Sequence, residues 1–409
     1  MIELIPDDTR KLKAWRKEVR SFLEEALPHG MRWDYDYNED EAEWKKALEF
    51  WRKVGQKGWV AATWPKEYYG QERTPIEKWI LAEEFANYDA PAYPVIGMAV
   101  ATAILRHGTP EQRKFHLKGI AEATTMWGEG YTEPSAGSDL AVLTTRAHWD
   151  EGTNGEGPAW VINGQKTFGT AGHWCQWMIV LARTDPNVPK HAGISCFLVP
   201  LDSKGISMTP LYNVAGGRQN HTFFDNVRVP AESLLGTVNK AWEQVWFGMG
   251  GDKLDRTGPF IGDWGYRIMS HMKRTVRYCK ETMRDGKPIS EDPIVRQQLG
   301  DLLLIEEGIR MLWYEDFSNF INKKASPFGA AGRPFQQLVY KEYWPKMMRT
   351  LMEIVGPLAQ IQGGPQSSKW AQLNGDIQYV YRCAFGNHAG GTSQLKRMVV
   401  ATRGLGLPR

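Results

Sequence analysis

No stretch of this chain is apolar long enough to cross a bilayer. The longest apolar runs, such as Trp177 to Ala182, fall far short of the ~20 residues a spanning helix needs. The first residues, Met1-Ile-Glu-Leu-Ile-Pro6, lack both a basic n-region and an apolar h-region, so no secretory leader is expected. Cysteine is scarce. The four (Cys175, Cys196, Cys279, Cys383) lie far apart with no CxxC pair, which argues against a zinc ribbon and a disulfide framework and fits a reducing cytoplasm. Charge of one sign is lacking too. A net charge of +3 is too balanced for an electrostatic nucleic-acid binder. Several motifs are missing: GxxxxGK[ST], GxGxxG after a strand, HExxH and GxSxG. Their absence removes the P-loop, the Rossmann dinucleotide site, the zincin site and the usual hydrolase elbow. The nine histidines are scattered, so no metal site is expected.

What is present is a globular composition, 42% hydrophobic and 24% charged, over 409 residues, enough for two or three core units. Eighteen tryptophans point to an aromatic core or to large flat cavities.

Patterning divides the chain into three. Residues 1–125 read as helical. Asp8 or Thr9 can cap a helix with Leu12, Trp15, Val19, Phe22 and Leu23 on one face, stopped by Pro28. Trp44, Leu48, Trp51 and Val54 repeat the pattern. Thr74-Pro75 and Thr109-Pro110 open two more helices. Residues 126–237 carry strand signals. Trp160 to Phe168 reads as a hairpin turning at Asn163-Gly164, with further strands at Trp177–Ala182, Ile194–Val199 and Thr222–Val229. Residues 238–409 return to helical periodicity, at Tyr266–Thr282, Ile294–Leu312, Phe335–Val355 and Thr392–Thr402. The expected fold class is α+β: an N-terminal helical domain, a central β-barrel domain and a C-terminal four-helix bundle.

Four segments carry a resemblance. Tyr131-Thr-Glu-Pro-Ser-Ala-Gly-Ser-Asp139 resembles the flavin-loop signature of the acyl-CoA dehydrogenase family. Gly164-Gln-Lys-Thr-Phe-Gly-Thr-Ala-Gly172 resembles the second flavin strand, and Phe224-Asp-Asn-Val-Arg-Val-Pro230 with Leu235-Gly236 the end of the β domain. Gly390-Gly-Thr-Ser-Gln394 with Arg403 to Arg409 resembles the C-terminal signature. The four occur in the family's order.

The resemblance implies FAD as cofactor and an acyl-CoA thioester as substrate. It implies that Tyr131, through its backbone, and Thr132 hold the pyrimidine side of the flavin. Gly137 lets backbone approach the ligand, and Ser138 meets the pyrophosphate and substrate side. Phe168 stands where the family usually has Trp beside the ring; core packing is its other reading. Thr170 stands where a Thr bonds near N5. Thr392 and Gln394 match the C-terminal flavin contacts, and Thr392 can cap a helix at the same time.

The base departs from the commonest pattern. Most members carry a Glu directly before Gly-Thr-Ser, and here that position is Gly390. A minority carry the base before an arginine facing CoA. In Gly251-Asp-Lys-Leu-Asp-Arg-Thr257 these positions are Asp255 and Arg256. An Asp reaches about 1.5 Å less far than a Glu, and a misplacement of ~1 Å can cost ~100-fold in rate. Asp255 is the candidate base, and a helix-start Asp pairing with Lys253 is the other reading. His388 is a lesser base candidate. Thr282 and Asp285 replace the Arg and Phe that usually reach a neighbouring subunit's flavin. Gln360-Ile-Gln-Gly-Gly364 fits the family's Gln-x-x-Gly-Gly loop by letter, although the helix end is expected earlier, at Gly356-Pro357.

This pattern resembles the branch acting on bulky CoA esters, in which two different subunits often pair. Three readings follow. The first is a dehydrogenase with Asp255 as base, passing electrons to an electron-transfer flavoprotein. The second is a non-catalytic or half-active subunit of a heteromeric dehydrogenase. The third is a flavin monooxygenase or oxidase on the same fold. A dimer or α2β2 tetramer, homomeric or heteromeric, is expected, with neither nucleic acid nor membrane as partner.

Overall fold

The computed structural model describes residues 9–28, 40–88, 90–91, 97–152, 156–214, 217–242, 264–324, 331–363, 369–385 and 390–408. Helices come first: α1 (Arg10–Ala26), α2 (Glu41–Gln56), α3 (Pro75–Asn87), α4 (Gly97–His107) and α5 (Pro110–Ala121). Their starts obey local chemistry. Thr9 Oγ1 accepts from Leu12 N at 3.2 Å. Thr74 with Glu77, and Thr109 with Gln112, form capping boxes in front of a proline at the first helical position. Leu12, Trp15, Val19, Phe22 and Leu23 of α1 are buried as their spacing predicts. The buried Glu84 of α3 receives Arg16 and Arg20 of α1, so a carboxylate that would be costly alone is paired twice.

Strands follow: β1 (Trp127–Gly130), β2 (Arg146–Asp150), β3 (Ala159–Lys166), β4 (Trp177–Arg183), β5 (Ile194–Pro200), β6 (Ile206–Tyr212), β7 (Arg218–Val229) and β8 (Leu234–Leu235). They form one eight-stranded sheet in the order β6-β7-β3-β2-β4-β5-β8, with β1 parallel to β4. Ile162, Met178, Val180, Phe197, Val199, Phe224 and Val227 from four of its strands pack into one core.

The expected turn at Asn163-Gly164 is absent. β3 runs through it, paired with β2 on one edge and β7 on the other, and the β7 register shifts between Ile162 and Gly164. The same dipeptide serves a bulge as well as a turn. Gly164 takes φ +149, a value open to glycine, and Asn163 Oδ1 accepts from Asn226 N at 2.8 Å. The antiparallel neighbour that β3 pairs with in sequence order is β2, from Arg146 opposite Asn163 to Asp150 opposite Ala159.

The sheet's other face shares its core with the N-terminal helices. Trp127, Tyr131, Ile179, Leu181 and Cys196 lie in one apolar cluster with Trp51, Phe85, Ile104 and Leu117. Gln112 of α5 donates to Glu232 O and Leu234 O at 2.7 and 2.9 Å, pinning that helix beside β8.

The C-terminal helices are α6 (Trp264–Glu281), α7 (Pro293–Ile321), α8 (Gly332–Val355), α9 (Asp376–Phe385) and α10 (Ser393–Val399). α6 is followed by a small hairpin, β9 (Met283–Arg284) and β10 (Lys287–Pro288), turning at Asp285-Gly286, both at positive φ. Trp79 of α3 packs on Phe317 of α7 with ring centroids 4.3 Å apart, joining the two helical sets. Among the described residues no helix is long and apolar enough to cross a membrane.

Candidate active site

The end of β1 and the end of β3 meet. Beyond Gly130 the chain makes a short loop closed by reciprocal Glu133–Ala136 backbone bonds of 3.0 and 3.1 Å. Beyond Lys166 it leaves the sheet, and Thr167 N donates to Thr132 O at 2.9 Å. The structure thus sets Tyr131 and Thr132 beside the segment that carries Phe168 and Thr170, with Gly137 against Thr132.

A buried ion pair fixes the junction. Lys166 Nζ lies 2.7 Å from Glu133 Oε1 and donates to Tyr131 O at 3.2 Å. Glu133 also accepts from Thr144 N, Thr144 Oγ1 and Thr145 N at 2.6, 2.7 and 2.9 Å. Burial alone would raise the Glu133 carboxyl, but the Lys166 charge and these donors more than offset it and hold it down to about 2. Burial pulls the Lys166 ammonium down to about 8. The carboxylate, with four donors, is the better-held member, and the pair is charged at neutral pH.

β7 clamps the second segment from the side. Gly169 and Asn220 exchange bonds of 3.1 Å in both directions. Gln219 Nε2 donates to Phe168 O and to Thr170 Oγ1 at 3.4 and 3.3 Å. Thr167 Oγ1 lies 2.8 Å from His221 Nδ1. With its acceptor side engaged by Gln219, the Thr170 hydroxyl is left with its proton to give. Phe168 is held at φ +60, unfavourable for an L residue, with its side chain 48% exposed. The backbone strain keeps the Phe168 ring at the surface beside the Thr170 hydroxyl, where a bound ring system could lie against it.

These residues fit a flavin. A Cβ on Gly137 would meet only Thr132 Cγ2, at 4.0 Å, so the backbone there is clear for a ligand. The Thr132 and Ser138 hydroxyls make no hydrogen bond among the described residues. Phe168 offers a ring face, and Thr170 a donor.

Two further expected residues come from the C-terminal segment. Thr392 caps α10, its Oγ1 accepting from Leu395 N at 3.2 Å, and Gln394 is exposed. No hydrogen bond among the described residues joins either to the cradle. Asp255, Arg256, Lys253 and His388 lie outside the described residues. Gly390, in the commonest base position, takes φ +69. Gln219, Asn220 and His221 escaped the sequence reading because their work is done across a strand pair. The Glu133–Lys166 pair was within two quoted motifs, and only its burial reveals its part.

Comparison with known proteins bears directly on this arrangement. Residues 9–124 match the acyl-CoA dehydrogenase N-terminal domain, 128–227 its middle domain and 259–405 its C-terminal domain. The chain belongs to the acyl-CoA dehydrogenase family. It is 30% identical to acyl-CoA dehydrogenase FadE26 of Mycobacterium tuberculosis over 87% of each chain, and 29% identical to acyl-CoA dehydrogenase IpdE1 of the same organism over 88% of this chain and 87% of that one. Among solved structures it is similar to the Tcur3481-Tcur3483 steroid ACAD, with a TM-score of 0.83 and 30% identity over 98% of this chain and 99% of that one. The ChsE4-ChsE5 complex from Mycobacterium tuberculosis gives 0.83 and 28% over 98% of each. Members of this family are oxidoreductases that carry FAD, the cofactor the cradle fits. The helices-strands-helices order agrees with the family's α+β fold.

Proposed function

We propose that the protein catalyses α,β-dehydrogenation of a bulky or branched acyl-CoA, with electrons passed to an electron-transfer flavoprotein, in the cytoplasm. The observation that carries this reading is the cradle: two flavin-signature segments locked together by Glu133 and Lys166, with Phe168 and Thr170 presented at its rim. Similarity to a structure described as a steroid ACAD supports a bulky acyl group. None of the four cysteines is in a disulfide, which fits a reducing compartment.

When bound, FAD supplies hydride acceptance at N5. The chain supplies the rest. Tyr131 backbone, Thr132, Gly137 and Ser138 hold and orient the cofactor, Phe168 covers one ring face, and Thr170 donates a hydrogen bond. Thr392 and Gln394 complete the cofactor contacts from the C-terminal segment. Asp255 removes the α proton of the thioester, and Arg256 holds the CoA moiety.

A second reading is favoured by Gly390. Glycine has no acid or base, and its left-handed φ makes the position a poor one for the glutamate most members carry there. The chain would then be the half-active partner in a heteromeric dimer or α2β2 tetramer, as the two-protein names of the similar steroid ACAD structures suggest.

One experiment separates the two. The purified chain, alone and anaerobic, is titrated with straight, branched and sterol-like acyl-CoAs while flavin absorbance is followed. Bleaching by one class establishes a self-sufficient dehydrogenase and identifies its substrate class. Flavin that no ester reduces, or protein without flavin, favours the heteromeric partner.

A further inference from the structure

Strand β1 sends its residues to two faces. Gly128 and Gly130 turn into the sheet, where an added Cβ would lie 3.2 Å from Met178 Cε and 3.0 Å from Met178 Sδ respectively. Trp127, Glu129 and Tyr131 turn the other way, toward the N-terminal helices. The parallel register sets Glu129 beside Ile179, and Ile179, Trp127 and Tyr131 all belong to the apolar core on that face. Glu129 is therefore a carboxyl on an otherwise apolar surface.

It is not sealed there. Trp127 is 2% and Tyr131 5% exposed, whereas Glu129 between them is only half-buried, so its side chain looks into a space that solvent reaches. That face adjoins the cradle through Tyr131, which directly precedes Thr132, whose carbonyl accepts from Thr167 N at 2.9 Å.

Neither the Glu129 carboxyl nor the Tyr131 hydroxyl has a hydrogen-bond or ion-pair partner among the described residues; Tyr131 is engaged only through its backbone carbonyl. Burial pushes the Glu129 carboxyl up to about 7. Burial also pushes the Tyr131 hydroxyl up, and the neighbouring Glu129 carboxylate adds to it. A donor and an acceptor that have no protein partner among the described residues thus stand on the same face, beside the cofactor cradle.

We infer that Glu129 and Tyr131 select an acyl group bearing a hydroxyl, which donates to the Glu129 carboxylate and accepts from the Tyr131 phenol. A ketone only accepts and an ammonium only donates, whereas a hydroxyl satisfies both groups at once. The inference rests on the proposed acyl-CoA function. Because solvent reaches the space, water serves the pair when the hydroxyl is missing. The discrimination is then the modest one of a single hydrogen-bonded group, about tenfold.

The test uses the FAD-loaded protein and calorimetric binding of CoA thioesters of one ring-bearing acyl group. One ester is plain, and the others carry a single hydroxyl at successive positions. At least one hydroxylated ester is expected to bind about tenfold more tightly than the plain one. Glu129→Gln and Tyr131→Phe, both close in shape to the originals, are each expected to shrink that ratio to about threefold or less. Equal binding of every ester, or a preference that survives both substitutions, overturns the inference and leaves the dehydrogenase reading standing. Protein that holds no FAD and binds none of the esters overturns both.

Discussion

Lys166 and Glu133, 33 residues apart in sequence, meet at 2.7 Å with both side chains 1% exposed. The two members are not equally supported. Without Lys166 the carboxylate keeps three donors from Thr144 and Thr145; without Glu133 the ammonium keeps one neutral acceptor, Tyr131 O. Glu133→Gln should therefore destabilise the protein more than Lys166→Met. Removing one partner of a buried pair costs ~3–5 kcal/mol, and the glutamine variant belongs at the upper end of that range. Thermal melts with FAD content measured alongside check the order. A larger loss in Lys166→Met would show that the threonine donors do not hold the carboxylate.

Phe168→Ala should separate cofactor binding from folding. Alanine at φ +60 keeps the backbone strain, so stability of the FAD-free chain should change by less than ~1 kcal/mol. The ring face is lost, and FAD should bind about tenfold more weakly. Flavin fluorescence titration and FAD-free melts read the two effects. Unaltered FAD affinity would place Phe168 outside the cradle.

Asp255→Asn should retain FAD and CoA-ester binding and lose turnover. Rapid-mixing reduction of the flavin by the best ester measures it. Turnover at the wild-type rate would remove Asp255 as base and strengthen the partner-subunit reading.

His116 gives a pH prediction. It packs edge-on against Trp127 and Trp177, with ring centroids 5.1 and 4.7 Å away, and burial pulls its imidazole down to about 4. The folded state prefers the neutral ring, and the unfolded chain protonates near 6.5. The contribution is complete above pH 6.5 and is lost as pH falls toward 4, with a full extent of ~3 kcal/mol. Melts of the wild type and His116→Phe from pH 8 to 4 should run parallel above pH 7. Below 6.5 the wild type should fall faster.

Much of this structure could be read from residue order. Thr74-Pro75 with Glu77 and Thr109-Pro110 with Gln112 announce helix starts because their bonds are local. The cradle segments were legible because they resemble the family's flavin-binding signatures. Asn163-Gly164 misled because its conformational freedom suits a bulge as well as a turn, and only pairing with β7 decides between them. Glu129 was illegible for a related reason. Strand alternation identifies its face, but whether that face meets water or helices depends on contacts made far away in the chain.

The apolar cluster common to the first helices and the outer face of the sheet bears on how this protein can be dissected. A fragment beginning at the composition change near residue 125 would bare Trp127, Tyr131, Ile179 and Leu181 together, leaving the β region with a sticky flank. Gln112 would go with the discarded part, freeing the carbonyls of Glu232 and Leu234. The change of secondary structure along the chain is thus not a place where the molecule comes apart. Proteolysis and hydrogen exchange should find helices and sheet opening as one unit, with the cofactor's seat lost in the same event.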